Sequence, residues 1–130
     1  IIANCNFIAN KADFDGGAIF NMGQNGQSAP IIRNCHFEKN QSTYGAAILN
    51  KGANGKVVAA ITNCVFTANA SILSGAIVYN LREGRGESNS IMNACKFIEN
   101  DAVNGDAFGA STVTASSNAQ NRGGAVLRSY

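Results

Sequence analysis

Apolar and polar positions alternate over short stretches of this chain, and one such stretch returns about every thirty residues. Its copies contain Cys5, Cys35, Cys64 and Cys95, which are 30, 29 and 31 residues apart, and a phenylalanine follows each cysteine by two positions. A step of two places both side chains on the same face of a β-strand. An asparagine and then a glycine-rich apolar run complete each copy, as expected for short strands joined by tight turns.

A shorter fifth copy follows near the end of the printed chain. Val113, Ala115 and Asn118 stand 18 residues after Cys95, Phe97 and Asn100. This copy lacks an extra loop of about 11 to 13 residues that the other copies carry, for example around residues 51–60. An 18-residue unit fits three short strands, whereas a repeat of two helices needs more than about thirty residues. The sequence therefore predicts an all-β fold, a single-stranded parallel β-helix of about five coils that are hydrogen-bonded at a spacing of about 4.8 Å.

Composition agrees with one small globular unit. The chain has 130 residues, 45% of them hydrophobic and 14% charged, which is enough to bury the core of one domain. A net charge of +2, spread over isolated basic residues, argues against a nucleic-acid partner. No apolar run approaches 18 residues, so we expect no transmembrane helix. Because Ile1 stands inside a repeat, we interpret residues 1–130 as a single β-solenoid segment of a longer repeat chain.

Equivalent residues of stacked coils form columns, which we call ladders. The phenylalanine ladder is expected to form the core. An asparagine ladder is expected at a corner, with stacked amides bonded to one another, and comprises Asn10, Asn40, Asn69, Asn100 and Asn118. Asn40 and Asn69 also begin glycosylation sequons, for which an inward structural role is favoured over a glycan. A further asparagine before most of the cysteines, at Asn4, Asn34 and Asn63, predicts a bend.

The cysteine ladder has three interpretations. Stacked side chains that point the same way have poor geometry for a disulfide. Four thiolates in a row do not form a tetrahedral zinc site. We therefore favour a buried stack of reduced thiols, with one or two disulfides as the alternative. We predict no metal and no cofactor.

The glycine-rich run supplies the candidate binding site. Apolar residues occupy two neighbouring columns there, so one column faces outward, and its members are predicted to be Phe20, Leu49, Tyr79 and Leu127. Two outcomes are open for this outward strip. Either the loop that follows covers it, or it is an exposed apolar strip of the kind that marks a binding surface.

Candidate catalytic residues are few. Asp13 and Asp15 lie close together in sequence, but Asp101 would reach them only across several coils. Sugar-cleaving enzymes need two acids across one bond, often with calcium on this kind of fold. His36 is expected to point outward into solvent, without a repeated partner. We therefore assign no catalytic residue and expect the chain not to be an enzyme.

The repeated signals also resemble a known family. FIAN, FEKN, FTAN and FIEN, together with GGAI at 16–19 and GGAV at 123–126, are similar to the repeats of chlamydial polymorphic outer membrane proteins and of other right-handed parallel β-helix repeat proteins. The resemblance implies a right-handed, pectate-lyase-like solenoid, export to the bacterial cell surface or the medium, and a role as an adhesin. The same kind of coil carries adhesins and polysaccharide lyases, so the fold alone does not decide between them.

Three functional classes remain open at this point. The favoured hypothesis is a non-catalytic, extracellular or cell-surface segment for adhesion, ligand binding or a structural stalk, whose partners would be carbohydrate or a host or cell-surface protein. The second is part of a polysaccharide lyase or glycoside hydrolase. The third is a structural module that self-associates end to end or through its strand edges.

Overall fold

The computed structural model describes residues 1–72 and 77–102 and the strand backbones of 113–115, 120–122 and 127–129. These residues form strands and turns without a helix. The strands, in chain order, are β1 (Ile2–Ala3), β2 (Asn6–Ile8), β3 (Ile19–Gln24), β4 (Gln27–Ser28), β5 (Ile31–Arg33), β6 (His36–Glu38), β7 (Gln41–Ser42), β8 (Ile48–Ala53), β9 (Lys56–Thr62), β10 (Val65–Thr67), β11 (Ala70–Ser71), β12 (Val78–Glu83), β13 (Glu87–Asn93), β14 (Lys96–Ile98), β15 (Asp101–Ala102), β16 (Val113–Ala115), β17 (Gln120–Arg122) and β18 (Leu127–Ser129).

The strands stack into four parallel sheets, which confirms the parallel β-solenoid. Sheet 1 holds β1, β5, β9, β13 and β16, with β4 beside β9, and sheet 2 holds β2, β6, β10, β14 and β17. Sheet 3 holds β7, β11 and β15, and sheet 4 holds β3, β8, β12 and β18. Since a complete turn needs a strand in every sheet, the three strands of sheet 3 mean about three turns among the described residues, rather than about five coils.

The alignment of the fifth copy is wrong. The structure pairs Phe97 with Asn121, not with Ala115, while Ala115 pairs with Met92. The expected match rested on two small apolar residues spaced by two and one asparagine, a pattern that many strands share. Hydrogen bonding to the edge of the third turn sets the register of these last strands instead.

The core lies between the sheets and is built from the ladders that the repeats predict. The rings of Phe7, Phe37, Phe66 and Phe97 stack with centroids 4.7–4.8 Å apart and planes within 6°. The second to fourth of these rings are fully buried, together with isoleucines from sheet 1 and cysteines from the corner that follows it. The ring spacing equals the rise from one coil to the next, because each ring occupies the same position in its own strand.

The bends before the cysteines are confirmed. Asn4, Asn34 and Asn63 adopt left-handed backbone conformations with φ of 57°, 53° and 52°. Asparagine tolerates this region better than most residues with a side chain. The exposed amides also bond from coil to coil, from Asn34 Nδ2 to Asn4 Oδ1 at 3.2 Å and from Asn63 Nδ2 to Asn34 Oδ1 at 2.8 Å.

The stretch expected as an extra loop is mostly β-structure. Sheets 1 and 4 continue beyond the core and face one another, and we call this outer part (residues 21–28, 50–57 and 80–88) the extension. Its first two coils turn at Asn25 and Asn54, with φ of 53° and 50°. Asn-Gly is a strong signal for a tight turn between two strands, so the two sheets meet at a narrow tip.

Glycines allow the two sheets of the extension to touch. A Cβ added at Gly52 would lie 2.1 Å from the carbonyl oxygen of Glu87. We expect Gly52→Ala to lower the free energy of unfolding by about 1–3 kcal/mol, because the opposing backbone must move. In contrast, Gly26→Ala should stay within about 0.5 kcal/mol, since the nearest atom is 3.7 Å from its added Cβ. Urea denaturation followed by circular dichroism measures both variants, and equal effects would contradict the close approach of the sheets.

Candidate functional site

The outward strip forms over three of its four predicted positions. Phe20, Leu49 and Tyr79 are register partners in sheet 4. Leu127 does not join them, because it pairs with Val78, and Arg128 lies opposite Tyr79 instead. The strip is also exposed only at its first position, since Phe20 is 45% exposed, Leu49 0% and Tyr79 5%. Its role in binding stays a prediction.

The turn before β8 covers the strip at Leu49 and Tyr79. The ring of Tyr44 stacks on that of Tyr79 with centroids 6.0 Å apart. A Cβ added at Gly45 would lie 3.0 Å from the Cβ of Leu49, so the same turn runs directly over the strip. In the first coil Asp15 takes the place opposite Tyr44, and Phe20 keeps its exposure.

Exposed apolar side chains therefore concentrate on the first coil. Phe20 and Met22 project from the same face of β3, and Phe14 is 72% exposed on the turn before it. We call these three residues the first-coil patch.

A second apolar column, which sequence reasoning missed, runs over the outer face of sheet 1 and includes the exposed Ile31 and Ile91 with Ala60 between them. The available signal was an apolar residue directly before the inward Ile32, Ile61 and Met92.

Two lysines of the extension form ion pairs with glutamates of the next coil. Lys51 Nζ lies 2.6 Å from Glu83 Oε2, and Lys56 Nζ lies 2.9 Å from Glu87 Oε2. A shallow groove of about 380 Å³ at the tip is lined by these last two residues and by Arg85 and the Asn-Gly turns. Ion pairs exposed in this way contribute little to stability.

Asp101 does not lie close to Asp13 and Asp15. Asp101 pairs with Ala70, which pairs with Gln41, and Gln41 in turn bridges to Lys11 of the first coil. Asp101 is therefore three coil steps from the coil that holds Asp13 and Asp15. Pairs of catalytic carboxyl groups stand about 5–9.5 Å apart in glycosidases, which is less than three steps of about 4.8 Å. Within the described part of the chain, no group of three or more His, Cys, Asp or Glu residues is placed to hold a metal ion.

His36 is partly buried on the outer face of sheet 2, where its Nε2 lies 3.4 Å from Thr67 Oγ1. On the same face, a hydrogen bond from Lys39 and its positive charge lower the pKa of the neighbouring Glu38 carboxyl. Glu38 and Lys39 thus form a local ion pair at the surface.

The asparagine ladder is continuous, as predicted, over Asn10, Asn40, Asn69 and Asn100, and it is buried from Asn40 onward, whereas Asn10 at its end is exposed. Asn118 lies outside the described residues. Each Oδ1 from Asn40 onward accepts from the backbone N–H and from Nδ2 of the asparagine one coil earlier, at 2.9–3.0 Å. The Nδ2 of Asn69 also donates to the carbonyl of Phe37. Asn40 and Asn69 are fully buried, so their sequons are not accessible for a glycan in the folded chain.

A second asparagine ladder, which sequence reasoning missed, lies inside the extension. Asn21 Nδ2 donates to Asn50 Oδ1 at 2.7 Å, and Asn50 Nδ2 donates to Asn80 Oδ1 at 3.0 Å and to Ser90 Oγ. The signal was the asparagine that ends each apolar run in the first three copies. Hydrogen-bonded polar side chains therefore lie inside the extension.

The four cysteines are free thiols in one orientation. Each Sγ lies 3.2–3.4 Å from the carbonyl oxygen two residues before it, so all four side chains share one rotamer. Cys5 is partly buried, and Cys35, Cys64 and Cys95 are buried. The neighbouring Cys95 thiol and then burial raise the pKa of the Cys64 thiol, whereas the Cys64 thiol lowers the pKa of Cys95.

Fold and ladders together define the class of protein, a parallel β-solenoid built from repeated coils. The chain matches no protein-family model, no curated protein and no solved structure. The similarity of its FxxN and GGAI signals to the polymorphic outer membrane proteins therefore stays a hypothesis, while the solenoid itself is shown. No described segment forms an apolar helix of membrane-spanning length.

Proposed function

We propose that this chain is a non-catalytic structural segment, a stalk or spacer in an extracellular or cell-surface β-solenoid. The observation that carries the proposal is the placement of its repeated residues. The repeated Cys and Phe positions and the asparagine ladder through Asn40, Asn69 and Asn100 point inward, and the rings and amides stack or hydrogen-bond from coil to coil. Residues that repeat strictly therefore serve the stack, as expected of a solenoid that is built for length and rigidity.

The outer surface agrees with this function. Charged residues of the extension pair with one another between coils, and the acids of the first coil stand three steps from Asp101. Active sites usually gather groups with perturbed acidity in a cleft. The resemblance to surface-exposed β-helix repeats supports the extracellular location and the adhesin-type context.

A depletion and cleavage assay tests the proposal. The purified chain is incubated with a panel of acidic and neutral polysaccharides, with and without Ca²⁺, and new reducing or unsaturated ends are measured together with loss of protein from solution. We expect no new chain ends, and the variant Asp13→Asn/Asp15→Asn/Asp101→Asn should behave as the parent does. New ends that disappear in this triple variant would overturn the non-catalytic function.

Ligand binding is the second candidate function, and the first-coil patch favours it. Loss of protein to one polysaccharide without new ends would identify a ligand for this surface. Phe20→Ser should then abolish the depletion, because the exposed ring would supply the apolar contact area. Ile91→Ser is the matched control, since it removes a similarly exposed apolar residue from sheet 1. If depletion falls equally in both variants, the first-coil patch is not the binding surface.

A further inference from the structure

The geometry points to a metal site that needs only two ligands: we propose that neighbouring cysteines of the ladder bind a soft, thiol-seeking cation in linear two-coordinate geometry. Because all four thiols share one rotamer, each sulfur repeats its neighbour one coil rise away. The phenylalanine rings two residues further on measure that rise as 4.7–4.8 Å.

This separation suits one ion between two sulfurs. A metal–thiolate bond is about 2.3 Å long, so a sulfur–metal–sulfur unit in a straight line spans about 4.6 Å. A direct disulfide needs sulfurs about 2.05 Å apart and side chains that approach each other, which parallel stacking opposes. The line that joins neighbouring sulfurs runs along the solenoid axis. It is therefore roughly perpendicular to the direction in which the cysteine side chains point into the core.

The surroundings select the class of ion. Soft thiolates favour soft cations over calcium or magnesium. Zinc also binds thiolates but takes four ligands, and among the described residues the site offers no further side-chain ligand. Two thiolates neutralise one divalent cation, so the bound unit carries no net charge into the buried core. The class is that of mercury(II), silver(I) and copper(I), and mercury(II) is the probe for which the charges cancel.

The binding step is an exchange of protons for metal. Two thiols each lose a proton to solvent and two sulfur–mercury bonds form, without oxidation or reduction. Four cysteines hold two such units per chain. The first is expected at Cys5 and Cys35, because Cys5 is only partly buried and reacts first with an ion from solvent.

Two double variants with the same number of thiols test the spacing. Cys5→Ala/Cys35→Ala keeps Cys64 and Cys95, which are one coil apart, whereas Cys5→Ala/Cys64→Ala keeps Cys35 and Cys95, which are two coils apart. All the retained cysteines are buried. Each variant is treated with mercury(II) chloride, challenged with excess free cysteine and desalted, and the mercury per chain is then measured. Circular dichroism and sedimentation report whether the chain stays β-structured and monomeric.

We expect the adjacent pair to keep one mercury ion per chain, with at least about 100-fold better retention than the separated pair, because two ligands held together act at high effective concentration. The unaltered chain should bind two ions and remain folded. Equal retention by the two variants would overturn the proposal. So would four ions on the unaltered chain, or binding that requires loss of the β-spectrum or formation of dimers. If a variant does not fold, the number of mercury ions on the unaltered chain still decides the question, because two ions support the proposal and four contradict it.

Discussion

Replacing Phe66 by alanine should lower the free energy of unfolding by about 3–5 kcal/mol, as found for large aromatic residues in well-packed cores. Its ring lies between those of Phe37 and Phe97, at 4.8 and 4.7 Å, and is fully buried. Removal leaves a cavity that the neighbouring coils cannot close, because their backbone hydrogen bonds hold them at a constant spacing. Since many domains have only about 5–15 kcal/mol of stability, this loss is a large fraction of the total.

Urea denaturation followed by circular dichroism measures the effect. Phe14→Ala is the control, because it removes the same side chain from a position that is 72% exposed, and its effect should stay within about 0.5 kcal/mol. Comparable losses in both variants would show that the ring stack is not the main apolar core.

Asn69→Ala should cost about 2–5 kcal/mol, although it removes only one amide. The change leaves the backbone N–H of Asn40 without its acceptor and the carbonyl of Phe37 without the donor from this amide. Both groups lie inside the solenoid, where water cannot replace the lost partner. A buried polar group without a partner costs more than an average hydrogen bond contributes.

An asparagine of the exposed ladder provides the control for this prediction. Asn63→Ala removes one hydrogen bond, from the side-chain amide of Asn63 to that of Asn34. This bond lies at the surface, where water can replace it. The equivalent residue of the next coil is Ala94, which has a similar φ of 50°, so alanine is accommodated there. We expect a loss of less than about 1 kcal/mol in the same urea experiment. A larger loss for Asn63→Ala than for Asn69→Ala would contradict the role assigned to the buried ladder.

The repeated residues were sufficient to predict which side chains share a column. Cysteine, phenylalanine and asparagine recur at constant offsets, and the strand pairs follow those offsets from Phe7 to Phe97. The prediction failed for the last strands, where few of these residues remain. There a short match between small side chains suggested an 18-residue copy that the pairing of Asn121 with Phe97 does not support.

The candidate site was predictable only in part. That Phe20, Leu49 and Tyr79 form one outward column follows from the strand period of two. Their burial does not follow from it, because Tyr44 of the second coil stacks on Tyr79 of the third. Such a contact depends on how a turn folds back over its neighbour, which no local pattern specifies.

The sequence by itself determined the parallel solenoid and its inward ladders. A strand alternates its side chains every two residues, and a translation by one coil brings like residues together, so periodicity alone specifies the stack. Only the tertiary structure decided which outward columns stay exposed, how the last strands pair, and that the supposed loops form a second, polar-lined layer. These features depend on contacts between residues that do not recur at a constant interval along the sequence. They also depend on the close approach of two backbones at positions such as Gly52.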